Sequence, residues 1–295
     1  MVFFLAIFLL LVELGIRQIE PRLSRDLAHI RHLPEVAASL RNHQGTKVLV
    51  MGNSLTRKAI EPTMLATGLE SHGRASPKLF FFTPDGTSII NWDYGLRRYF
   101  LHADAKPDEI YIGTGPLHLH DHRDEASRLA AYYVDRTDLP RVWHEDLPGW
   151  EQRCEFILSR LSVLHASRAR IKPHVFGTLI PHYFDVEQAI NNQRAVAMQR
   201  TGQLKDSTPT YDHLATLLAT CREAGIRVTL FSIPLPGSYQ DPMEAVKLIR
   251  SNQARWLSLA PTPGFTASHF PDGYHLNDEG ARLFTTALLN ALDQP

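Results

Sequence analysis

Two short segments near opposite ends of the chain carry side chains suited to acyl transfer. The first, Gly52-Asn53-Ser54-Leu55, follows an apolar run and places a serine hydroxyl in a tight turn. The second, Asp272-Gly273-Tyr274-His275, places a carboxylate three residues before an imidazole. A serine hydroxyl is an effective nucleophile only when a base takes its proton, and a carboxylate can orient that base and stabilise its charged form. We therefore predict a catalytic triad of Ser54, His275 and Asp272.

The sequence around and between these segments predicts the elements that must position them. Short apolar runs alternate with patches of helical spacing, an order typical of a parallel sheet with helices on both faces. The predicted strands are Lys47–Met51, Lys78–Phe82, Glu109–Ile112 and Ile226–Ile233. Functional groups gather at the carboxyl ends of such strands, and Ser54, Gly86 and Gly113 each follow one. We predict a three-layer α/β/α fold with a central parallel sheet and a last helix, Glu279–Leu292, capped by Asn277.

These motifs resemble those of the SGNH (GDSL-type) hydrolases, especially the membrane-anchored branches that handle acyl groups on cell-surface polymers. The family's Gly-Asp-Ser-Leu block is matched by Gly52–Leu55, with Asn53 where the family has aspartate. Its Asp-x-x-His block is matched by Asp272 and His275. The resemblance covers the predicted sheet core and not the segment between its third and fourth strands. It implies an SGNH/flavodoxin-like sheet, a serine mechanism and no cofactor.

Two further blocks of the family concern the groups that would bind the oxyanion. Gly86 stands where the second block contributes a backbone N–H, and the N–H of Ser54 is another donor that the resemblance implies. The third block, Gly-x-Asn-Asp, is represented only by Gly113-Thr114-Gly115-Pro116, which lacks the asparagine. The backbone N–H of Gly115 or the side chain of Asn91 is a candidate replacement. The candidate pocket residues are Asn53, Asn91 and His118.

The segment between the third and fourth strands, about residues 120–222, is too long for a single crossover. Its helical patterns cover Leu129–Val134, Pro148–Ala169 and Val186–Gln203. We predict a helical insertion within one catalytic domain, residues 45–295. The many aromatic residues of the insertion either form its core or provide a cap or acceptor-binding surface beside the active site.

The N-terminal residues favour attachment to a membrane. Val2–Val12 is apolar throughout, and the apolar character resumes after Glu13. The run is shorter than the roughly 20 residues that a spanning helix needs, so we interpret residues 1–16 as a membrane anchor or signal segment, with a buried helix as the alternative. Residues 17–44 are charged and predict a helical stalk with breaks at Pro21 and Pro34. The expected location is extracytoplasmic, in the periplasm or at the cell surface, although the arginines that follow the run argue mildly against this orientation.

The composition limits the partners. The chain of 295 residues has 31 Lys and Arg against 31 Asp and Glu, a formal net charge of zero. Such a balance gives no sign of the basic surface that binds nucleic acid, so no nucleic-acid partner is predicted. Cys154 and Cys221 share no metal-ligand spacing and are interpreted as buried thiols, with a disulfide left open.

A histidine cluster supports a competing hypothesis of metal-dependent hydrolysis. His118, His120 and His122 lie around Asp121, and the first two would share one face of an extended segment, as a metal pair requires. The pattern is similar to the His-x-His-x-Asp-His of dinuclear zinc hydrolases, but the aspartate stands one residue early. We predict no metal and interpret the cluster as a polar loop at the end of the third strand.

The sequence therefore predicts a serine-dependent O-acyl ester hydrolase or acyltransferase, with acetyl as the expected group and an envelope polysaccharide as the expected substrate. The same triad serves both reactions, and acceptor binding decides between them. A membrane-bound acyl-donor partner would fit the transferase. The alternative from a different class is a catalytically inactive module that binds a glycan or a protein.

Overall fold

The computed structural model describes residues 2–121, 125–186, 190, 209–237, 239–260 and 263–294. The chain separates into two compact units. Unit 1 is formed by Met1–His29, Asp124–Tyr132 and Leu139–Pro209, and unit 2 by Ile30–Arg123, Tyr133–Asp138 and Thr210–Pro295.

The described strands all belong to one parallel sheet in unit 2. They are β1 (Lys47–Met51), β2 (Lys78–Phe82), β3 (Glu109–Thr114), β4 (Arg227–Ser232) and β5 (Arg255–Leu257). Their spatial order is β2-β1-β3-β4-β5, with every neighbouring pair parallel, which is the flavodoxin-like order. The predicted α/β fold with a parallel sheet is confirmed. Strand β5 was not predicted, because three residues are too few to show a strand pattern.

The described helices are α1 (Val2–Leu23), α2 (Arg25–Arg31), α3 (Leu33–Asn42), α4 (Ser54–Ala59), α5 (Pro62–Ser71), α6 (Ile89–Gly95), α7 (Ala126–Arg128), α8 (Leu139–Arg141), α9 (Trp150–Leu161), α10 (Val163–Leu179), α11 (183–186), α12 (Asp212–Glu223), α13 (Met243–Ser251) and α14 (Asp278–Asp293). Short π-helical turns follow α6, α7 and α8, at Leu96–Leu101, Leu129–Tyr133 and Val142–Asp146. A 3₁₀ turn covers Ala267–His269.

The sheet of unit 2 is apolar on both faces because helices cover both. Successive side chains of a strand point to opposite faces, so Val48 and Val50 face one layer and Leu49 and Met51 face the other; all four are fully buried. The first pair packs in a cluster with residues of α5 and α14. The sequence prediction of the last helix is confirmed, since the Asn277 side chain accepts a hydrogen bond from the third residue of α14.

Helix α1 of unit 1 corrects one expectation at the N-terminus. The helix continues through Pro21 to Leu23, so Pro21 does not break it; the proline costs the helix the one hydrogen bond that its missing N–H would have donated to the carbonyl four residues earlier. Pro34 stands in the first turn of α3, where a proline is favoured. None of the helices described has the length and apolar character needed to cross a membrane.

Within unit 1, hydrogen bonds accepted by two carboxylates of α1 join this helix to the insertion. Glu13, which interrupts the apolar run, accepts backbone N–H groups of Val163 at 2.7 Å and Leu164 at 3.1 Å and thereby caps α10 from outside. Glu20 is fully buried and accepts the hydroxyls of Tyr132 at 2.7 Å and Ser167 at 3.1 Å. Unit 1 therefore combines N-terminal and inserted residues that lie far apart in the sequence.

The insertion is helical where it is described. The predicted pattern Pro148–Ala169 is two helices, α9 and α10, separated at Ser162, whose hydroxyl caps α10. Most of the predicted helix Val186–Gln203 lies outside the described residues. Cys154, in unit 1, and Cys221, in unit 2, are both free thiols, and burial raises the pKa of Cys221 to about 12.

Candidate active site

The three predicted side chains meet at the carboxyl end of β1. His275 Nε2 lies 2.8 Å from Ser54 Oγ, and His275 Nδ1 lies 2.7 Å from Asp272 Oδ2. Both distances are those of hydrogen bonds. The imidazole therefore bridges a hydroxyl and a carboxylate, each through its own ring nitrogen. The serine and histidine are partly buried, so the assembled group remains open to a substrate.

A tight turn before α14 holds Asp272 and His275 in this arrangement. Asp272 Oδ1 accepts the backbone N–H of Tyr274 at 2.9 Å and that of His275 at 2.7 Å. Gly273, between them, has φ +76°, a conformation that favours glycine. Partial burial raises the pKa of Asp272, but the hydrogen bonds from His275 and Tyr274 lower it more, so the net pKa lies below the usual value. The carboxylate is therefore ionised at neutral pH and can support a charged imidazole.

The turn before Ser54 needs glycine for two reasons. Gly52 has φ +152°, and a Cβ there would collide with the side chain of Thr56 and the carbonyl oxygen of Gly113. Thr56 Oγ1 donates to that same carbonyl at 2.8 Å. The end of β3 is thus held directly against the first turn of α4, which carries Ser54.

Asn53 is the N-cap of α4. Its Oδ1 accepts the N–H of Leu55 at 3.0 Å, and its Nδ2 donates to the carbonyl of Thr87 at 3.0 Å. The side chain is 3% exposed. Asn53 therefore shapes the start of α4 from within the protein, and its burial does not support the predicted place in an open pocket. Ser54 is the first residue of that helix, where backbone N–H groups have no intrahelical acceptor.

Gly86 lies in the turn that follows β2, next to the Ser54 turn. It has φ +61°. Thr87 Oγ1 donates to the carbonyl of Gly52 at 3.1 Å, and an ion pair of 2.6 Å joins Arg57 of α4 to Asp85. The structure therefore brings the Gly86 turn to the Ser54 turn, in the region expected from the sequence.

Gly115 and Asn91, two of the candidate oxyanion donors, make other hydrogen bonds in the structure. The backbone N–H of Gly115 donates to His118 Nδ1 at 2.9 Å, so the expected oxyanion contact of Gly115 is not supported. Asn91 is 1% exposed, and its Oδ1 accepts the N–H of Ser88 at the start of α6. Asn91 therefore caps a helix and does not line an open pocket. Sequence spacing could not reveal these local acceptors.

The described side chains of the histidine cluster make separate contacts and do not converge on one site. His118 contacts Gly115, whereas the ring of His120 packs edge-on against Tyr211 at 5.2 Å. The carboxylate of Asp121 accepts the backbone N–H groups of Asp212 and His213 at the start of α12. In the parts of the chain that the structure describes, no group of His, Cys, Asp and Glu could hold a metal ion. His122 lies outside the described residues.

A polar cleft opens beside the histidine of the site. Its volume is about 540 Å³. Its lining includes Lys58, Asp272, His275, Asp278, Glu279 and Arg282. The Tyr274 ring meets the His275 ring edge-on, with centroids 5.0 Å apart. Sequence reasoning missed the role of Tyr274, although its place within the Asp-x-x-His segment marks it as a neighbour of the imidazole.

Comparison with known proteins gives similar structures but no sequence family. No family model and no curated protein matches the chain. A lipase/acylhydrolase from Enterococcus faecalis is 12% identical, with 84% of this chain and 96% of that chain covered and a TM-score of 0.41. A catalytic mutant of an acetylxylan esterase from Geobacillus stearothermophilus is 12% identical, with 85% and 96% covered and a TM-score of 0.42. A GDSL-like lipase from Bacteroides thetaiotaomicron is 10% identical, with 90% and 97% covered and a TM-score of 0.40. At these values the likeness carries no argument about activity, and the chemistry follows from the site itself.

Proposed function

We propose that the protein is a serine-dependent O-acyl ester hydrolase or acyltransferase of the SGNH type. The observation that carries this proposal is the continuous set of hydrogen bonds from Asp272 through His275 to Ser54. A nucleophile, a base within hydrogen-bond reach and a third group that orients the base form the arrangement that acyl transfer requires.

In the first half-reaction, Ser54 Oγ attacks the carbonyl carbon of the ester while His275 Nε2 takes its proton. The tetrahedral intermediate collapses when the bond to the leaving alkoxide breaks, and His275 returns the proton to that oxygen. In the second half-reaction, water or a sugar hydroxyl attacks the acyl carbon of the acyl-serine while His275 takes its proton. The bond from that carbon to Ser54 Oγ then breaks, and His275 returns the proton to Ser54 Oγ. Asp272 stays ionised throughout and stabilises the imidazolium.

The acyl group of this proposal is acetyl and the substrate is an acylated envelope polysaccharide. The charged side chains beside His275, such as Lys58, Asp278 and Arg282, support a polyhydroxylated substrate, because they offer donors and acceptors to sugar hydroxyls. Water as the acceptor makes the protein an esterase, and a polymer hydroxyl makes it a transferase that takes its acyl group from a membrane-bound partner.

Attachment to a membrane, with the protein outside the cytoplasm, is part of the same proposal. The N-terminal half of α1 is supported as the attachment site by its exposed aromatic residues: Phe3, Phe4 and Phe8 are 71%, 76% and 60% exposed. Exposed apolar clusters of this kind mark contacts with membranes or proteins. Flotation with phospholipid vesicles, comparing the full chain with a Phe3→Ser/Phe4→Ser/Phe8→Ser variant, tests this part, and equal flotation of the two proteins would contradict it.

The enzymatic proposal is tested by turnover of p-nitrophenyl acetate by the full chain and by Ser54→Ala, each with and without EDTA. We expect turnover that requires Ser54 and that EDTA leaves unchanged. Turnover that survives Ser54→Ala would contradict the serine mechanism, and turnover lost to EDTA would support the metal hypothesis. Adding an acetyl-free polysaccharide and measuring its acetylation by mass spectrometry then separates transfer from hydrolysis.

A further inference from the structure

An apolar groove of about 570 Å³ lies along helix α10 within unit 1. Its apolar lining comes from Leu164, Ile171, Val175 and Phe176 of α10 and from Leu158 of α9. In the described part of the chain, Leu158, Val175 and Phe176 are 50%, 46% and 39% exposed. The outward face of a helix is usually polar, so an open apolar surface of this kind indicates a site that an apolar ligand or partner covers.

The opposite face of α10 packs on the N-terminal helices of unit 1. Ser167 is fully buried and donates to Glu20 of α1 at 3.1 Å, and Arg170 donates to Asp26 of α2 at 3.0 Å. These contacts fix the direction in which α10 faces. The groove residues of α10 follow one another at helical spacing and share the other face. The groove is therefore an outer surface of unit 1 and not part of its core.

Cations stand along one rim of the groove. Arg168 and Lys172 line it and lie four residues apart, beside the apolar stripe of α10. An ion pair of 2.7 Å with Glu155 holds Arg168 at this position, and Lys172 is exposed. The sequence of α10 has three cations, with Arg170 the third, and neither aspartate nor glutamate. A basic helix with an apolar face is typical of segments that contact anionic membrane surfaces.

One end of the groove meets the apolar half of α1. Ser162 and Leu164 line the groove, and both donate to the carboxylate of Glu13, through the serine hydroxyl at 2.9 Å and the leucine N–H at 3.1 Å. Residues Val2–Val12, the segment proposed above to attach to a membrane, directly precede Glu13. The two apolar surfaces of unit 1 are therefore continuous, and a lipid of the same membrane has direct access to the groove.

The dimensions of the groove suit an acyl chain. From Leu164 to Phe176, α10 rises by about 18 Å at roughly 1.5 Å per residue, which is slightly more than half of the roughly 30 Å hydrocarbon thickness of a bilayer. A flat membrane surface would leave a concave site empty. A single acyl chain is narrow and flexible, so it can fill the concavity along its length.

We propose that this groove binds an anionic phospholipid of the membrane, with one acyl chain along the apolar stripe and the phosphate at Arg168 and Lys172. The inference rests on the proposed attachment of the protein to a membrane. The lipid is a bound ligand that secures unit 1 beside the contact made by α1, and no covalent bond changes.

Photolabelling of the full chain tests the acyl-chain site. The probe is phosphatidylglycerol with a diazirine in one acyl chain, carried in phosphatidylcholine vesicles, and mass spectrometry identifies the labelled peptides. We expect labels between residues 158 and 176. Val175→Glu should lower this labelling by about tenfold or more, because a carboxylate in the groove opposes both the chain and the phosphate. Val175→Ile should keep it. Since Val175 is 46% exposed, both variants should keep the wild-type Tm.

Vesicle affinity tests the phosphate site. We expect Lys172→Gln to bind vesicles of phosphatidylcholine and phosphatidylglycerol about fivefold more weakly than the wild type, the effect of one cation near an anionic surface. High salt should reduce the difference. The matched control is Lys247→Gln, which removes another exposed lysine, from α13 of unit 2, and should keep the wild-type affinity.

Three results would overturn the proposal: equal labelling of the wild type and Val175→Glu, labels confined to residues 2–12, or equal affinity for vesicles with and without phosphatidylglycerol. A dimer that Val175→Glu converts to a monomer, without labelling of the groove, would also overturn it and assign the groove to a second copy of the chain. Failure of the attachment proposal is a separate result, in which the Phe3→Ser/Phe4→Ser/Phe8→Ser variant floats like the wild type. Labelling by a soluble short-chain form of the probe then decides the groove by itself.

Discussion

Two aspartate–histidine pairs of unit 2 have the same contact and different surroundings. In both, Nδ1 of the histidine meets Oδ2 of the aspartate, at 2.7 Å for His275 and Asp272 and at 2.8 Å for His213 and Asp93. The side chains of the first pair are 26% and 55% exposed, and those of the second are 5% and 1% exposed. The two pairs therefore have the same kind of hydrogen bond but differ in their exposure to solvent.

The two imidazoles also differ in the groups that surround them. His275 presents its second ring nitrogen to a serine hydroxyl at 2.8 Å. His213 packs edge-on against the ring of Tyr94 at 5.3 Å, and its aspartate also contacts the guanidinium of Arg97 at 3.3 Å. The Asp93–His213 contact therefore joins α6 to α12, whereas in the proposed mechanism Asp272 orients His275 towards Ser54.

The largest expected effect is that of removing the nucleophile. Ser54→Ala should lower kcat for an activated acetyl ester by about 10⁴–10⁶-fold, because the remaining groups act as a unit with the serine. The measurement is steady-state turnover with the Tm as a control for folding. Residual activity close to that of the wild type would mean that the exposed Asp–His pair has no catalytic role and that the two pairs do not differ in function.

The aspartates provide the direct test of the comparison. Asp272→Asn should lower kcat by about 10²–10⁴-fold, because an amide favours the wrong imidazole tautomer and cannot stabilise the imidazolium. Asp93→Asn should leave kcat nearly unchanged. Parallel rate measurements on the two variants check this, and an equal loss of activity in both would remove the distinction.

For stability, we expect the larger loss from Asp93→Asn and the smaller loss from Asp272→Asn. Asp93→Asn removes the buried carboxylate that contacts both His213 and Arg97, although Arg97 keeps its contact with Asp138 at 3.3 Å. Breaking a buried ion pair typically costs about 3–5 kcal/mol. Asp272 is largely exposed, so its replacement should change the free energy of unfolding far less. Urea unfolding of both variants measures the difference. A more stable Asp93→Asn protein than Asp272→Asn protein would contradict the structural role assigned to the buried pair.

The smallest expected effect is a pH dependence of stability from Asp272. Its pKa is lower in the folded protein than the usual value, which is about 3.9 in an unfolded chain. The associated stability is therefore fully present above about pH 4 and is lost as the pH falls through the folded-state pKa. Comparing urea unfolding at neutral and acidic pH, we expect Asp272→Asn to show a smaller acid-induced loss than the wild type. An equal acid-induced loss of stability in the two proteins would show that the hydrogen bonds within the turn do not favour the ionised form of Asp272.

Much of the fold followed from local patterns. The apolar runs of β1 to β4 and the cap at Asn277 are visible in the sequence because strand periodicity and capping depend on residues close together in the chain. The three-residue strand β5 and the passage of α1 through Pro21 were not visible, since neighbouring elements decide both. The insertion was recognised from its length, but its association with α1 depends on the carboxylates of Glu13 and Glu20, whose partners are remote in the sequence.

For the site, the sequence by itself determined which residue types could form a triad and the turns that carry them. Ser54 follows a strand, and Asp272 reaches His275 within one turn, so both features are local. Only the tertiary structure decided that His275 faces Ser54, that the N–H of Gly115 is taken by His118, and that the Asp93–His213 pair is buried. Each of these depends on which groups from distant parts of the chain meet within hydrogen-bond range, and short-range spacing does not contain that information.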